Sequence, residues 1–128
     1  MRKTYTVDSG VQNENDIRFL LQEVPTIHEV TAAGQLITDT DANAFVYLID
    51  DGEGYTYVQF PKTVWPLMAV SLGAENEPVL AWGQTEIVLE NFREELTMLI
   101  FNIEGNDNYG EEFADAVEEA FKELLATN

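Results

Sequence analysis

The chain has 128 residues, 45% of them hydrophobic, and sets 24 Asp and Glu against 6 Lys and Arg for a formal net charge of −18. That length fits one domain, residues 1–128, built on one core, and that charge repels nucleic acid and anionic membrane surfaces. Cysteine is absent, which excludes disulfides, zinc thiolate centres and thiol nucleophiles. Arg2 and Lys3 have no apolar run of signal-peptide length behind them. No later segment approaches the roughly 20 apolar residues of a membrane helix, so a soluble cytoplasmic protein is expected.

Residues 3–8 alternate, Tyr5 and Val7 against Thr4 and Thr6, which predicts a half-buried strand ended by Ser9 and Gly10. Residues 16–22 (DIRFLLQ) fit either a short helix capped by Asn15 or Asp16 or the return strand of a hairpin. The strand is favoured, because Pro25 follows closely and seven residues make a poor helix. Residues 27–31 and 35–40 are short extended segments separated by Ala32, Ala33 and Gly34. Asp41 and Ala42 then turn the chain into residues 43–60 (NAFVYLIDDGEGYTYVQF), its strongest local pattern. Two apolar runs, 44–49 and 55–60, flank a loop of Asp50, Asp51, Gly52, Glu53 and Gly54, the signature of a β-hairpin. Val46 and Leu48 point to one face and Phe45, Tyr47 and Ile49 to the other, so both faces should be covered.

Pro61 closes the hairpin, and the period then changes: Val64, Leu67, Met68 and Leu72 recur at helical spacing within residues 62–72. Thr63 is the expected N-cap, Pro66 falls in the first turn and Gly73 is the stop. Residues 78–83 and 85–90 supply two more strands joined by a tight turn at Gly83 and Gln84, the second with a mixed outer face of Glu86, Val88 and Glu90. Asn91 with Glu94 has capping-box spacing and opens a helix striped by Phe92, Leu96, Leu99, Ile100 and Ile103, with Gly105 as its stop. Asn108 with Glu111 repeats that spacing and opens a final helix to about Ala126. Its inner stripe is Phe113, Val117, Ala120, Phe121 and Leu124, and its outer face is almost wholly acidic. The sum is α+β: an antiparallel, meander-like sheet with one helix inserted after the central hairpin and two C-terminal helices packed on the sheet.

No reactive constellation emerges. His28, the only histidine, sits beside Glu29 with no recognisable nucleophile, and is expected to be an ordinary surface or satisfied side chain. Asp39, Asp41 and Asn43 have the first spacings of a calcium loop, yet Ala44 stands where that loop needs Gly. Residues 102–108 fail at the same place. Gly52, Glu53 and Gly54 lack the third glycine and following helix of a dinucleotide loop. No cofactor and no dedicated metal site are expected. Trp65 and Trp82 are either core residues or the aromatics of a ligand pocket between sheet and helices.

The run from residue 102 to 113 (NIEGNDNYGEEF), followed by Ala116, Val117 and Glu118, resembles the YjbL-like family of small acidic bacterial proteins. Asp39-Thr40-Asp41, Phe45-Val46-Tyr47-Leu48, Tyr57-Val58, Pro61, Thr63 and Trp65 fall in the same order as that family's pattern, so the resemblance spans residues 28–125. It implies no activity, substrate or catalytic residue. It does single out the corner at residues 102–112. One reading makes this a capping corner, with Asn102 and Asn106 satisfying backbone groups, Gly105 at positive φ, Asn108 capping the next helix and Tyr109 as a staple. The other makes it a recognition corner, with Glu104, Asp107, Glu111 and Glu112 as a charged rim around Tyr109.

Two functions follow from the sequence. The first is a non-enzymatic interaction or regulatory protein whose charge meets a basic protein partner, against the simpler view of the charge as a solubilising coat. The alternative is a small-ligand-binding protein or enzyme using a carboxylate in a pocket near Trp65 and Trp82. A homodimer paired through an edge strand is a further arrangement that such a sheet allows.

Overall fold

The computed structural model describes residues 3–14, 16–21 and 30–126. Seven strands, β1 (Lys3–Asn13), β2 (Asp16–Leu21), β3 (Thr31–Asp39), β4 (Ala44–Asp50), β5 (Tyr55–Pro61), β6 (Val79–Trp82) and β7 (Thr85–Val88), form one sheet in the order β3-β4-β5-β1-β2-β6-β7. The helices are α1 (Trp65–Ser71), α2 (Phe92–Ile103), α3 (Glu111–Ala120) and α4 (Lys122–Ala126), with 3-10 turns at Lys62–Val64 and Asp107–Tyr109. Among the described residues, no helix is long and apolar enough to cross a membrane. His28 and residues 27–29 of the expected segment 27–31 lie outside the described residues.

The class is α+β as expected, but the sheet is mixed rather than an antiparallel meander. Two of its six pairings are parallel, β1 with β5 and β2 with β6. The reason lies in β1. Ser9 and Gly10 do not end this strand; the register shifts between Val7 and Ser9 and the strand runs on to Asn13. Residues 3–6 pair with β5, and residues 7–13 pair with β2, so the N-terminal hairpin inserts beside the central one. Gly10 suits that position because a Cβ there would meet Leu67 Cδ2 of α1 at 2.1 Å. Of the segment 16–22, Asp16–Leu21 forms the return strand β2, and Gln22 lies outside the described residues.

The central hairpin forms as its pattern dictates. Asp50 and Asp51 side chains accept the N–H groups of Gly52 and Glu53, each at 2.9 Å, and Asp51 also accepts the Thr56 hydroxyl at 2.9 Å. These are the Asx contacts that let a short acidic loop reverse the chain. Residues Ala44 to Ile49 are all buried, as a strand apolar on both faces requires. The segments expected at 27–31 and 35–40 are not separated by a break at residues 32–34. A bulge between Ala32 and Leu36, with Gly34 at φ +71°, keeps Thr31 to Asp39 in a single strand.

The helix starts depart from the expected caps. Thr63 lies in a 3-10 turn and α1 begins at Trp65, with Pro66 in its first turn as predicted. Asn91 makes no side-chain cap; it takes φ +63° and swings the chain from β7 into α2. Gly110, not Asn108, precedes α3. The final helix breaks at Phe121, which leaves helical dihedrals and packs its ring 5.9 Å from Phe45 and 6.1 Å from Trp65. Phe113 completes this aromatic group at 5.8 Å from Trp65, while Phe19, Phe60 and Phe92 form a second with centroids 5.0 to 6.0 Å apart.

The sheet curls until its terminal strands, β3 and β7, approach each other. Tyr47 pins that approach. Its hydroxyl donates to the Glu90 carbonyl at 2.6 Å and accepts the Gly34 N–H at 3.3 Å, while the ring is fully buried. A second clasp lies alongside, where the Leu36 N–H donates to the Glu95 carboxylate at 3.2 Å. Burial pushes the Tyr47 pKa up to about 12; Glu90, Glu77 and Glu95 add to the rise and the Gly34 hydrogen bond opposes it. Tyr47→Phe should destabilise the fold by about 1–3 kcal/mol in urea unfolding, because Gly34 and Glu90 lose their partner. The folded pKa is raised, so this stability is complete below pH 10 and should drain away as pH climbs from about 10 to 12. In the Phe variant, denaturation midpoints across that range should fall less steeply.

Candidate functional site

Trp65 and Trp82 belong to the core, 1% and 7% exposed, and the Trp65 indole N–H donates to the Phe60 carbonyl at 2.8 Å. They border neither of the surfaces described below. At the corner, Gly105 takes φ +67° and its N–H donates to the Glu118 carboxylate at 3.2 Å. Asn106 donates its amide to the Asn102 carbonyl at 3.1 Å and accepts the Asn108 N–H at 3.0 Å. Tyr109 is half-buried and stacks on Phe113, centroids 6.4 Å apart. Gly105, Asn106 and Tyr109 thus do structural work, while Glu104, Glu111 and Glu112 stand exposed around them. The Asp107 side chain lies outside the described residues.

The exposed carboxylates extend from that corner along two helices. α2 turns Glu94, Met98 and Asn102 outward, and α3 turns out Glu111, Glu112, Asp115 and Glu119. Lys122 contacts Glu119 at 3.5 Å. Among the described residues, no group of three His, Asp or Glu side chains could hold a metal ion. The spacing of Asp39, Asp41 and Asn43 serves a turn: Asp39 accepts the Ala42 N–H at 3.2 Å and the Gln59 amide at 3.4 Å.

A second surface was not foreseen. On β2 and β6, Ile17, Phe19, Leu80 and Trp82 face the core, which leaves Arg18, Leu20, Val79 and Ala81 on the opposite face. The register then lines up Val11, Arg18, Val79 and Val88 in one row across β1, β2, β6 and β7. Val11 and Val88 are each 51% exposed. Leu20, Ala81 and Glu86 form the neighbouring row. All of these but the buried Ala81 line a groove of about 770 Å³. Its rim is polar: Arg18 pairs with Glu86 at 2.8 Å, and Asn76 donates to the Asp16 carboxylate at 3.0 Å. Glu77 completes the rim, oriented by both the backbone N–H and the Nε of Arg93 at 3.1 Å. The mixed outer face of residues 85–90 was the only hint of this surface, since a parallel β2–β6 pairing leaves no local mark.

The family model named UPF0738, described as a family of unknown function, matches residues 5–121. The chain belongs to this family. A UPF0738 protein of Lysinibacillus sphaericus is 42% identical over 126 residues, covering 98% of this chain and 99% of its own. One from Halalkalibacterium halodurans is 40% identical over 126 residues, 96% and 100% of the two chains, and one from Staphylococcus haemolyticus is 37% identical over 111 residues, 87% and 91%. No solved structure matches. The UPF0738 match bears out membership of a bacterial family without an assigned activity, and it reaches further toward the N-terminus than residue 28, taking in the β1–β2 hairpin that walls the groove.

Because the Arg18 and Glu86 side chains are each more than half exposed, their pair should contribute no more than about 1 kcal/mol. A double-mutant cycle of Arg18→Ala and Glu86→Ala, read by chemical denaturation, should return a coupling energy within that bound, shrinking further in high salt.

Proposed function

We propose that this chain is a non-catalytic cytoplasmic interaction protein that binds a basic protein through its acidic surface. The observation that carries this is how the positive charge is spent. Three of the six cations, Arg18, Arg93 and Lys122, each lie against a carboxylate, Glu86, Glu77 and Glu119, and none of the six lies in the outward faces of α2 and α3. The exposed Glu94, Glu104, Glu111, Glu112 and Asp115 therefore present a field of one sign along α2, the corner and α3. The run at residues 102–113 that suggested a YjbL-like protein lies within this stretch, which makes the corner the natural centre of the contact. The alternative, a ligand-binding protein or enzyme with a pocket beside Trp65 and Trp82, draws less support, because both indoles are packed in the core. Among the described residues, no buried side-chain polar atom lacks a hydrogen-bond partner that a ligand would supply.

The test is kinetic. With a partner captured from cell extract and then purified, association should slow by about tenfold or more from low to high ionic strength, and Glu111→Lys with Glu112→Lys should slow it at low salt. An association rate indifferent to both salt and charge reversal would overturn the proposal.

A further inference from the structure

We infer that the groove across β1, β2, β6 and β7 seats an extended segment of a partner protein in which apolar residues alternate with Lys or Arg, an assignment that rests on the basic-partner reading above. Three observations combine. The floor is largely apolar and open where a chain of net charge −18 has every means to cover it with carboxylates: Val11 and Val88 are 51% exposed, with Arg18 and Val79 between them in the row and Leu20 in the next. A contiguous apolar surface framed by polar groups is the form that docking sites take. Its length suits a polypeptide. Four strands about 4.8 Å apart make the row from Val11 to Val88 roughly 14 Å long, which spans about four residues of extended chain at ~3.3 Å each.

The rim selects the sign of the occupant. Asp16, Glu77 and Glu86 border the floor against two cations, Arg18 held by Glu86 at 2.8 Å and Arg93 held by Glu77 at 3.1 Å, so the rim keeps a net negative charge. An anionic segment would meet a rim of net negative charge, and a second copy of the chain would bring another −18 to it. An occupant lying across the strands presents alternate side chains to the floor and to the rim. Apolar residues then settle between Val11, Leu20 and Val79, while the intervening cations reach Asp16 at the rim.

The experiment titrates the full ¹⁵N-labelled chain with short synthetic peptides alternating Lys with Val, Lys with Ser, and Glu with Val. The Lys-Val peptide should shift the amides of Val11, Arg18, Leu20, Val79 and Val88, and the other two should bind about tenfold more weakly or worse. Val11→Thr with Val88→Thr, exposed near-isosteric changes that spare the core, should weaken the Lys-Val peptide by about fivefold with the thermal transition unchanged. Lys-Val shifts confined to α2 and α3 would remove the groove as the seat while leaving the basic-partner reading intact. Failure of both Lys peptides to bind anywhere would overturn the two together. Equal binding of the Glu-Val peptide, or a dimer in sedimentation that the Thr pair abolishes, would also overturn the assignment, the latter by giving the groove to a second copy.

Discussion

Everything in this sheet depends on β1 pairing on both sides. Residues 3–6 hydrogen-bond to β5 and residues 7–13 to β2, and the shift at Val7 and Ser9 hands the strand from one neighbour to the other. Without it there are two separate units, β3-β4-β5 and β2-β6-β7, each too small to bury both faces of its apolar strands. Joined, they carry Phe19 of β2 to within 5.0 Å of Phe60 of β5, edge to face. The rings of two hairpins distant in sequence then share one core with Phe92 from α2.

The same joining decides what lies outside. A sheet that curls far enough for β3 and β7 to meet has one face packed against the helices, while the other is open at Val11 and Val88 although Val46 and Leu48 of β4 are buried on it. On the concave side Tyr47, Glu95 and the bulge at Gly34 fasten the two margins, and α2 packs against one terminal strand, β3. On the convex side the β2–β6 pairing assembles a row of side chains from four strands. The groove is thus a product of topology rather than of any one segment. The acidic helices obey a simpler rule: amphipathic stripes bury Phe92, Leu96, Ile100, Phe113 and Val117 and turn their carboxylates outward.

Local pattern carried the sequence reading as far as local forces reach. The central hairpin was legible because residues 44–60 satisfy strand propensity, turn chemistry and burial at once. The apolar stripes of α2 and α3 were legible for the same reason. What escaped depends on distant partners. Ser9 and Gly10 look like a turn, and only contact with Leu67 and the change of neighbour makes them a bulge inside a strand. Asn91 and Asn108 have capping spacing, yet the angle between β7 and α2 demands a left-handed residue at Asn91, and a 3-10 turn takes up Asn108. Of the candidate sites, the corner could be named from its residues, whereas Trp65 and Trp82 could not be sorted between pocket and core. The groove had no signature, because parallel pairing links Arg18 to Val79 without any spacing rule.

The order of synthesis gives the double pairing of β1 a temporal meaning. The β1–β2 hairpin leaves the ribosome first, yet Lys3 must await Thr56 and Arg18 must await Val79. In that interval both outer edges of the hairpin are open, with Val7, Ile17 and Phe19 uncovered, a state that invites strand addition between nascent chains. Acidic residues are denser in the later segments, where residues 89–128 hold 11 of the 24 Asp and Glu, among them Glu94, Glu95, Glu111, Glu112, Glu118 and Glu119. The carboxylates that follow β7 then add to the mutual repulsion between chains once the last partner strands have emerged.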